Sequence, residues 1–206
     1  MPTLYYSPGA CSLAPHIVLE WIGKPYTAKR VKIGSPELIA VNPTGAVPAL
    51  QEDDGWILTQ NPAILYYLAS KHPEAGIGGG LGLRSNAELH RWLSFFGSDV
   101  HGAFWPVFGP ARYTTDESPE ARQKVKEAAF IRVRSRFAQL NTHLADREWI
   151  LDGGRSIVDA YAFPMIRWLA GVVPGGLADF PHVKALHDRV AANTGVKKVL
   201  AAEDAA

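Results

Sequence analysis

Cys11 is the sole cysteine among 206 residues, and it sits where a Ser7-Pro8-Gly9 turn gives way to a run of helical character near Leu13. The first turn of a helix leaves N–H groups unpaired and carries the positive end of the dipole. A thiol there can ionise more readily and become a nucleophile. Cysteine is equally a common inert filler of apolar cores, so position alone leaves both roles open. A single cysteine excludes an internal disulfide and any cysteine-based metal cluster, and it points to a reducing cytoplasm. His182 and His187 lie five apart, on different helix faces, and none of the seven histidines has a convincing metal-ligand spacing; no metal is expected. The glycines between 76 and 82 lack the lysine of a phosphate loop. One lone histidine, His101, shares a helix face with Gly97, Ser98 and Trp105.

The elements that must position these groups come in two patterns. Up to residue 70 they are short and alternating. Thr3 to Tyr6 reads as a strand, and Leu13, Ile17, Leu19, Trp21 and Ile22 fit a helix closed by Gly23. Tyr26 to Val31 is a second strand, and Ser35 to Ala40 makes one or two helical turns. Val47 to Leu50 and Trp56 to Leu58 form a hairpin about Asp53-Asp54-Gly55, and Asn61 to Ser70 is a helix. This order predicts a small α/β layer domain over residues 1–71. Residues 72–82 hold five glycines in eleven positions and read as a linker.

From residue 83 to 206 the pattern is helical only. Leu89, Trp92, Leu93, Phe96, Val100 and Phe104 recur at three- and four-residue steps along one helix, which Pro106 and Pro110 bend or end. Ser118-Pro119-Glu120 opens another, with Ser as N-cap and an apolar stripe of Phe130, Val133, Phe137, Leu140 and Leu144. Ser156 and Asp159 are spaced as a capping box. The helix they open, Ile157 to Ala170, is apolar nearly all round and is expected at the centre. Shorter helices follow from about His182 and Val196.

Lys plus Arg (21) nearly balances Asp plus Glu (20), a net charge of +1, which argues against binding nucleic acid or an anionic membrane. With 47% apolar and 20% charged residues the chain is not disordered as a whole. No 18-residue apolar stretch and no signal-like opening is present, so neither a membrane span nor secretion is expected.

Five segments, in order along almost the whole chain, carry a resemblance. Tyr6-Ser7-Pro8-Gly9-Ala10-Cys11-Ser12-Leu13-Ala14-Pro15-His16 resembles the opening motif of bacterial beta-class glutathione S-transferases. Asn42-Pro43-Thr44-Gly45-Ala46-Val47-Pro48-Ala49-Leu50 is similar to their N-P-x-G-x-V-P-x-L segment, and Thr59-Gln60-Asn61-Pro62-Ala63-Ile64 to the start of their third helix. Asp99-Val100-His101-Gly102-Ala103-Phe104 and Ser156-Ile157-Val158-Asp159-Ala160-Tyr161 resemble the end of their fourth helix and the cap of their central one. The resemblance implies a thioredoxin-like N-terminal domain on an all-α C-terminal domain. It implies a cytoplasmic homodimer that joins the glutathione thiolate to a small apolar electrophile, with glutathione as co-substrate and no cofactor.

It also implies roles for residues. Cys11 lies near the glutathione sulfur, and His101 points at the cleft as a second catalytic candidate. Ala10, Ala46, Val47, Pro48, Gln60 and Asn61 bind glutathione, with Val47-Pro48 a cis bond that offers its backbone to an extended peptide. Asn61 stands where the family usually has Ser; by residue type it serves equally as N-cap, with Pro62 at the first helical position. Ser98 and Asp99 reach the ligand of a neighbouring subunit. Trp105 and Phe108 are walls for the electrophile, with core packing as their other reading. Ser12 reads first as a helix N-cap, Tyr6 as structural, and Lys32 as the nearest basic candidate beyond strand two. Two rival functions remain: a glutathione-dependent disulfide reductase or dehalogenase using Cys11 covalently, and a non-catalytic ligand-binding module.

Overall fold

The computed structural model describes residues 1–205; the final position of the expected helical domain, 206, lies outside them. Four strands make one mixed sheet in the order β2-β1-β3-β4: β1 Thr3–Tyr6, β2 Thr27–Arg30, β3 Ala49–Gln51 and β4 Ile57–Thr59. β1 runs parallel to β2, with Thr3 opposite Thr27, and antiparallel to β3, with Leu4 opposite Leu50. The β3–β4 hairpin turns at Gly55, whose N–H donates to the Glu52 carbonyl.

Alternation along β1 sorts its side chains between two cores. Leu4 and Tyr6 face α1 (Leu13–Ile22) and α3 (Asn61–Lys71), packing with Ile17, Ile64, Leu65 and Leu68. Tyr5 faces the other way, against Leu38 of α2 (Pro36–Val41). α1 stops where expected, at Gly23 in the left-handed conformation. α2 is capped by Ser35, whose hydroxyl accepts from the Leu38 N–H at 3.3 Å.

The segment 72–82 is less free than its composition suggests. Pro73–Ala75 makes a tight helical turn, Ile77 is buried, and its carbonyl accepts from the Ile157 N–H at 3.0 Å. Then come only helices: α4 Leu83–Ser94, α5 His101–Phe108, α6 Pro119–His143, α7 Ile157–Val172, α8 Pro181–Ala192 and α9 Thr194–Asp204. The large core about β1, α1 and α3 continues through Phe96, Phe104, Tyr161 and Phe163 of this half, so the two halves share one apolar interior.

The capping box on α7 is present as expected. Asp159 is fully buried and accepts from the Ser156 N–H (2.8 Å), the Ser156 hydroxyl (3.0 Å) and the Ile150 N–H (3.0 Å). Burial pushes its carboxyl up to about 6, against the pull of those donors. α6 likewise starts with the Ser118 cap and Pro119.

One expectation fails instructively. Residues 83–108 are not one α-helix: Phe95–Val100 form a π-helical turn between α4 and α5. Phe96, Val100 and Phe104 are all buried and step by four twice. At 3.6 residues per turn each such step drifts by about 40°, which an ordinary apolar stripe tolerates, and the wider turn reduces that drift. Pro106 is held inside α5, which ends two residues later.

Candidate active site

A cleft of about 920 Å³ opens between the cis-proline edge, the start of α3, the π turn with α5, and the centre of α7. It gathers Ala10, Cys11, Ala46, Val47, Pro48, Gln60, Asn61, Ser98, His101, Trp105 and Phe108. The one expected site residue outside it is Asp99, whose carboxylate lies 3.6 Å from Arg136 of the same chain.

The cleft floor is the loop that carries the thiol. Gly9 is held from both sides by the helical half: its N–H donates to Glu203 at 3.2 Å, and its carbonyl accepts from the Trp168 indole at 2.8 Å. Ser12 does not cap α1. Its hydroxyl turns back to the Ser7 backbone, donating to the carbonyl (3.2 Å) and accepting from the N–H (3.1 Å). Cys11 therefore precedes the helix by two residues and is buried, with its thiol donating to the Val47 carbonyl at 3.5 Å. Burial pushes the thiol up to about 12, although the Asn61 amide and the N–H groups of Cys11 and Ser12 favour an anion. Desolvation therefore works against the helix-start argument for an ionised Cys11 and outweighs the amides.

The Val47–Pro48 bond is cis, as the motif implied, and the Val47 N–H finds no acceptor among the described residues. Across from it begins α3. The residue before the helix is Gln60, with φ of +72°, the one non-glycine residue of positive φ among those described. Such a backbone costs about 1–3 kcal/mol and persists only where its surroundings hold it. The N-cap expected of Asn61 is corrected here. Asn61 is the first helical residue, Pro62 the second, and no side chain caps the helix. The N–H groups of Asn61 and Ala63 stay unpaired at the positive end of the dipole. The Asn61 side chain is buried. Its amide nitrogen donates to the Cys11 carbonyl at 3.0 Å, and its oxygen has no partner.

The π turn forms the opposite wall. A side chain at Gly97 would come within 3.3 Å of Pro62, so its absence lets α3 approach. His101 lies against Trp168 and Trp105, with ring centroids at 5.3 and 6.0 Å. Burial lowers it to about 4, which makes it a neutral imidazole at pH 7. Trp105 and Phe108 are 55% and 53% exposed, so the cleft, not the core, claims both. Tyr6 is buried against His16 away from the cleft, a structural role as expected. Lys32 is exposed outside the cleft, and its neighbour Ile33 lines it instead.

Sequence reading missed Tyr161, Trp168, Thr44 and Arg112 as cleft residues. Tyr161 and Trp168 stand on α7 seven residues apart, a same-face spacing that points both at one place. Among the described residues no group of three His, Cys, Asp or Glu is placed to hold a metal ion, and no helix is long and apolar enough to cross a membrane.

This architecture matches known proteins throughout. The family model for the glutathione S-transferase N-terminal domain matches residues 9–71, and that for the C-terminal domain matches residues 99–193. The chain belongs to the glutathione S-transferase family. The glutathione S-transferase GST-4.5 of Xanthomonas campestris pv. campestris is 39% identical over 97% of this chain and 98% of its own. A bacterial beta-class glutathione S-transferase from Sphingomonas chungbukensis superposes with a TM-score of 0.86, at 37% identity and 98% coverage of each chain. A sphingomonad glutathione S-transferase complexed with glutathione superposes at 0.88, with 38% identity over 99% of this chain and 100% of that one. The family's fold, a thioredoxin-like domain on a helical one, is the fold described above.

Proposed function

We propose that this transferase binds glutathione in the cleft and joins its sulfur to a small apolar electrophile. One observation carries the reading: a single cleft unites a free backbone edge, an uncapped helix N-terminus and a cluster of sulfur-directed amides. These are the three things an extended thiol tripeptide needs. Its central residue pairs with the Val47 backbone like an added strand. Its γ-glutamyl carboxylate sits on the Asn61 and Ala63 N–H groups, where the dipole favours an anion. The unpartnered Asn61 oxygen offers an acceptor to the ligand's N–H groups.

The N–H groups of Cys11 and Ser12 and the Asn61 amide, which favour an anionic sulfur at this spot without ionising Cys11 itself, lower the cost of ionising the glutathione thiol. The thiolate attacks the electrophilic carbon, the new C–S bond forms, and the leaving group departs with its electron pair; the thiol proton goes to solvent. His101, neutral, accepts a hydrogen bond and positions rather than acting as a strong base. Cys11, protonated and buried, lies beside the reacting sulfur with its S–H turned to the Val47 carbonyl. The same protonation weighs against thiol exchange through Cys11 as the main activity.

The reading divides the chain into a glutathione-binding domain, 1–71, and a helical domain, 83–206, joined by 72–82; the two family matches fall on either side of that segment. It includes a homodimer, because Asp99 stands outside its own cleft and suits the ligand of a neighbouring copy. It places the protein in the cytoplasm, on its single free cysteine. Retention on immobilised glutathione followed by turnover of chlorodinitrobenzene tests it. Retention with no turnover of any electrophile would favour a binding module instead.

A further inference from the structure

Arg112 is the single formally charged side chain on the cleft wall. A short helical turn, Pro110–Arg112, sets its place, and its backbone N–H donates to the Gly109 carbonyl at 3.1 Å. Its stem runs across Gly109: a Cβ there would meet Arg112 Cδ at 3.6 Å and Nε at 3.7 Å. No side-chain hydrogen bond or ion pair among the described residues engages its guanidinium, although other arginines of the chain have carboxylate partners: Arg91 with Glu88, Arg134 with Asp179, Arg147 with Asp152. Beyond it a second hollow of about 310 Å³, lined by Trp105, Phe108, Gly109, Arg112 and Tyr113, shares the same two aromatic walls.

A free, exposed guanidinium fork lining the same hollow as an exposed indole and an exposed phenyl ring matches one kind of guest: a flat apolar body ending in a planar anion. We infer that the preferred electrophile of this enzyme is an aromatic or unsaturated compound bearing a carboxylate or similar anion, which Arg112 holds while Trp105 and Phe108 hold the apolar body. The inference rests on the conjugation reading above and names its substrate class. The reaction is unchanged by it: with a chloroarene, the C–S bond forms as chloride leaves with the bonding pair, and the remote carboxylate takes no part.

The test compares two electrophiles with one reactive centre, chlorodinitrobenzene and chlorodinitrobenzoate, each at saturating glutathione. The readout is the ratio of their kcat/KM values. In Arg112→Gln the ratio of carboxylated to neutral substrate is expected to fall by about tenfold or more, the loss of one charge-assisted contact. Arg112→Lys, which keeps the charge without the fork, is expected to restore part of it. A ratio that does not move in Arg112→Gln overturns the inference. So does a glutathione KM that rises as far as the ratio falls, since the cation then serves the tripeptide's own glycyl carboxylate. Turnover of neither electrophile by the parent enzyme overturns the conjugation reading, and this inference with it. Turnover of both without dependence on Arg112 overturns this inference alone.

Discussion

Cys11 is expected to behave as a reluctant thiol. Burial places it at about 12, which leaves about one thiolate in 10⁵ at pH 7. A free cysteine near 8.5 holds about one in 30, so the reactive fraction is about 3,000-fold smaller. A more basic sulfur attacks faster once ionised, and a Brønsted slope of about 0.4–0.5 returns roughly 1.5 powers of ten. The net expectation is alkylation by iodoacetamide about a hundredfold slower than free cysteine at pH 7, before any loss of access to a thiol tucked against Val47. Intact-mass measurement of labelling over time, in native and urea-unfolded protein, gives the two rates. The native rate should rise about tenfold per pH unit up to pH 9, with no plateau. In parallel, Cys11→Ala should keep kcat/KM for conjugation within about threefold of the parent, because the thiol supplies no charge to the reaction. A native labelling rate that levels off below pH 8, together with loss of conjugation in Cys11→Ala, would refute the reasoning and restore Cys11 as a nucleophile.

Three further outcomes are expected. Burial lowers His101 from 6.5 to about 4, so the fold favours its neutral form. Its contribution is whole above pH 6.5 and is lost as the pH falls toward 4, by up to about 3 kcal/mol. Urea unfolding of His101→Gln should therefore lose less stability than the parent between pH 7 and pH 4.5, and equal losses would contradict this. Asp159→Ala leaves the buried Ile150 and Ser156 N–H groups without an acceptor; at about 1–3 kcal/mol each, stability should fall by about 2–6 kcal/mol. A melting temperature within a degree of the parent would contradict the cap's role. Asn61→Ala removes the donor to the Cys11 carbonyl and the free oxygen beside the α3 terminus, and should raise the glutathione KM about tenfold while the electrophile KM holds. An unchanged glutathione KM would move the tripeptide off that helix end.

Much of the fold was legible because it rests on local rules. Gly23, Ser35, Ser118 and the Ser156–Asp159 pair mark helix ends by chemistry that acts within a few residues. The period change after residue 82 separates the sheet from the helices, and every expected cleft residue except Asp99 lines one cavity. What escaped depends on packing between distant segments. Ser12 and Asn61 have capping side chains, but the bend at Ser7 and the carbonyl of Cys11 claim them first. The thiol's ionisation turned on how deep the loop lies, which the clamp from Glu203 and Trp168 decides, and neither residue is near it in sequence. Phe108 reads as core by type, yet the end of α5 faces open space. The π turn left no such mark, since the two four-residue steps from Phe96 to Phe104 also suit a plain α-helix.

The account stands most directly on the state of the bound tripeptide's sulfur. In Cys11→Ala, where the ligand supplies the one thiol, ultraviolet difference absorbance across pH at saturating enzyme follows glutathione ionising in the cleft. A thiolate band with its midpoint at least about one pH unit below that of free glutathione is the predicted result. A midpoint at or above the free value, or no bound fraction at millimolar ligand on folded protein, would contradict it.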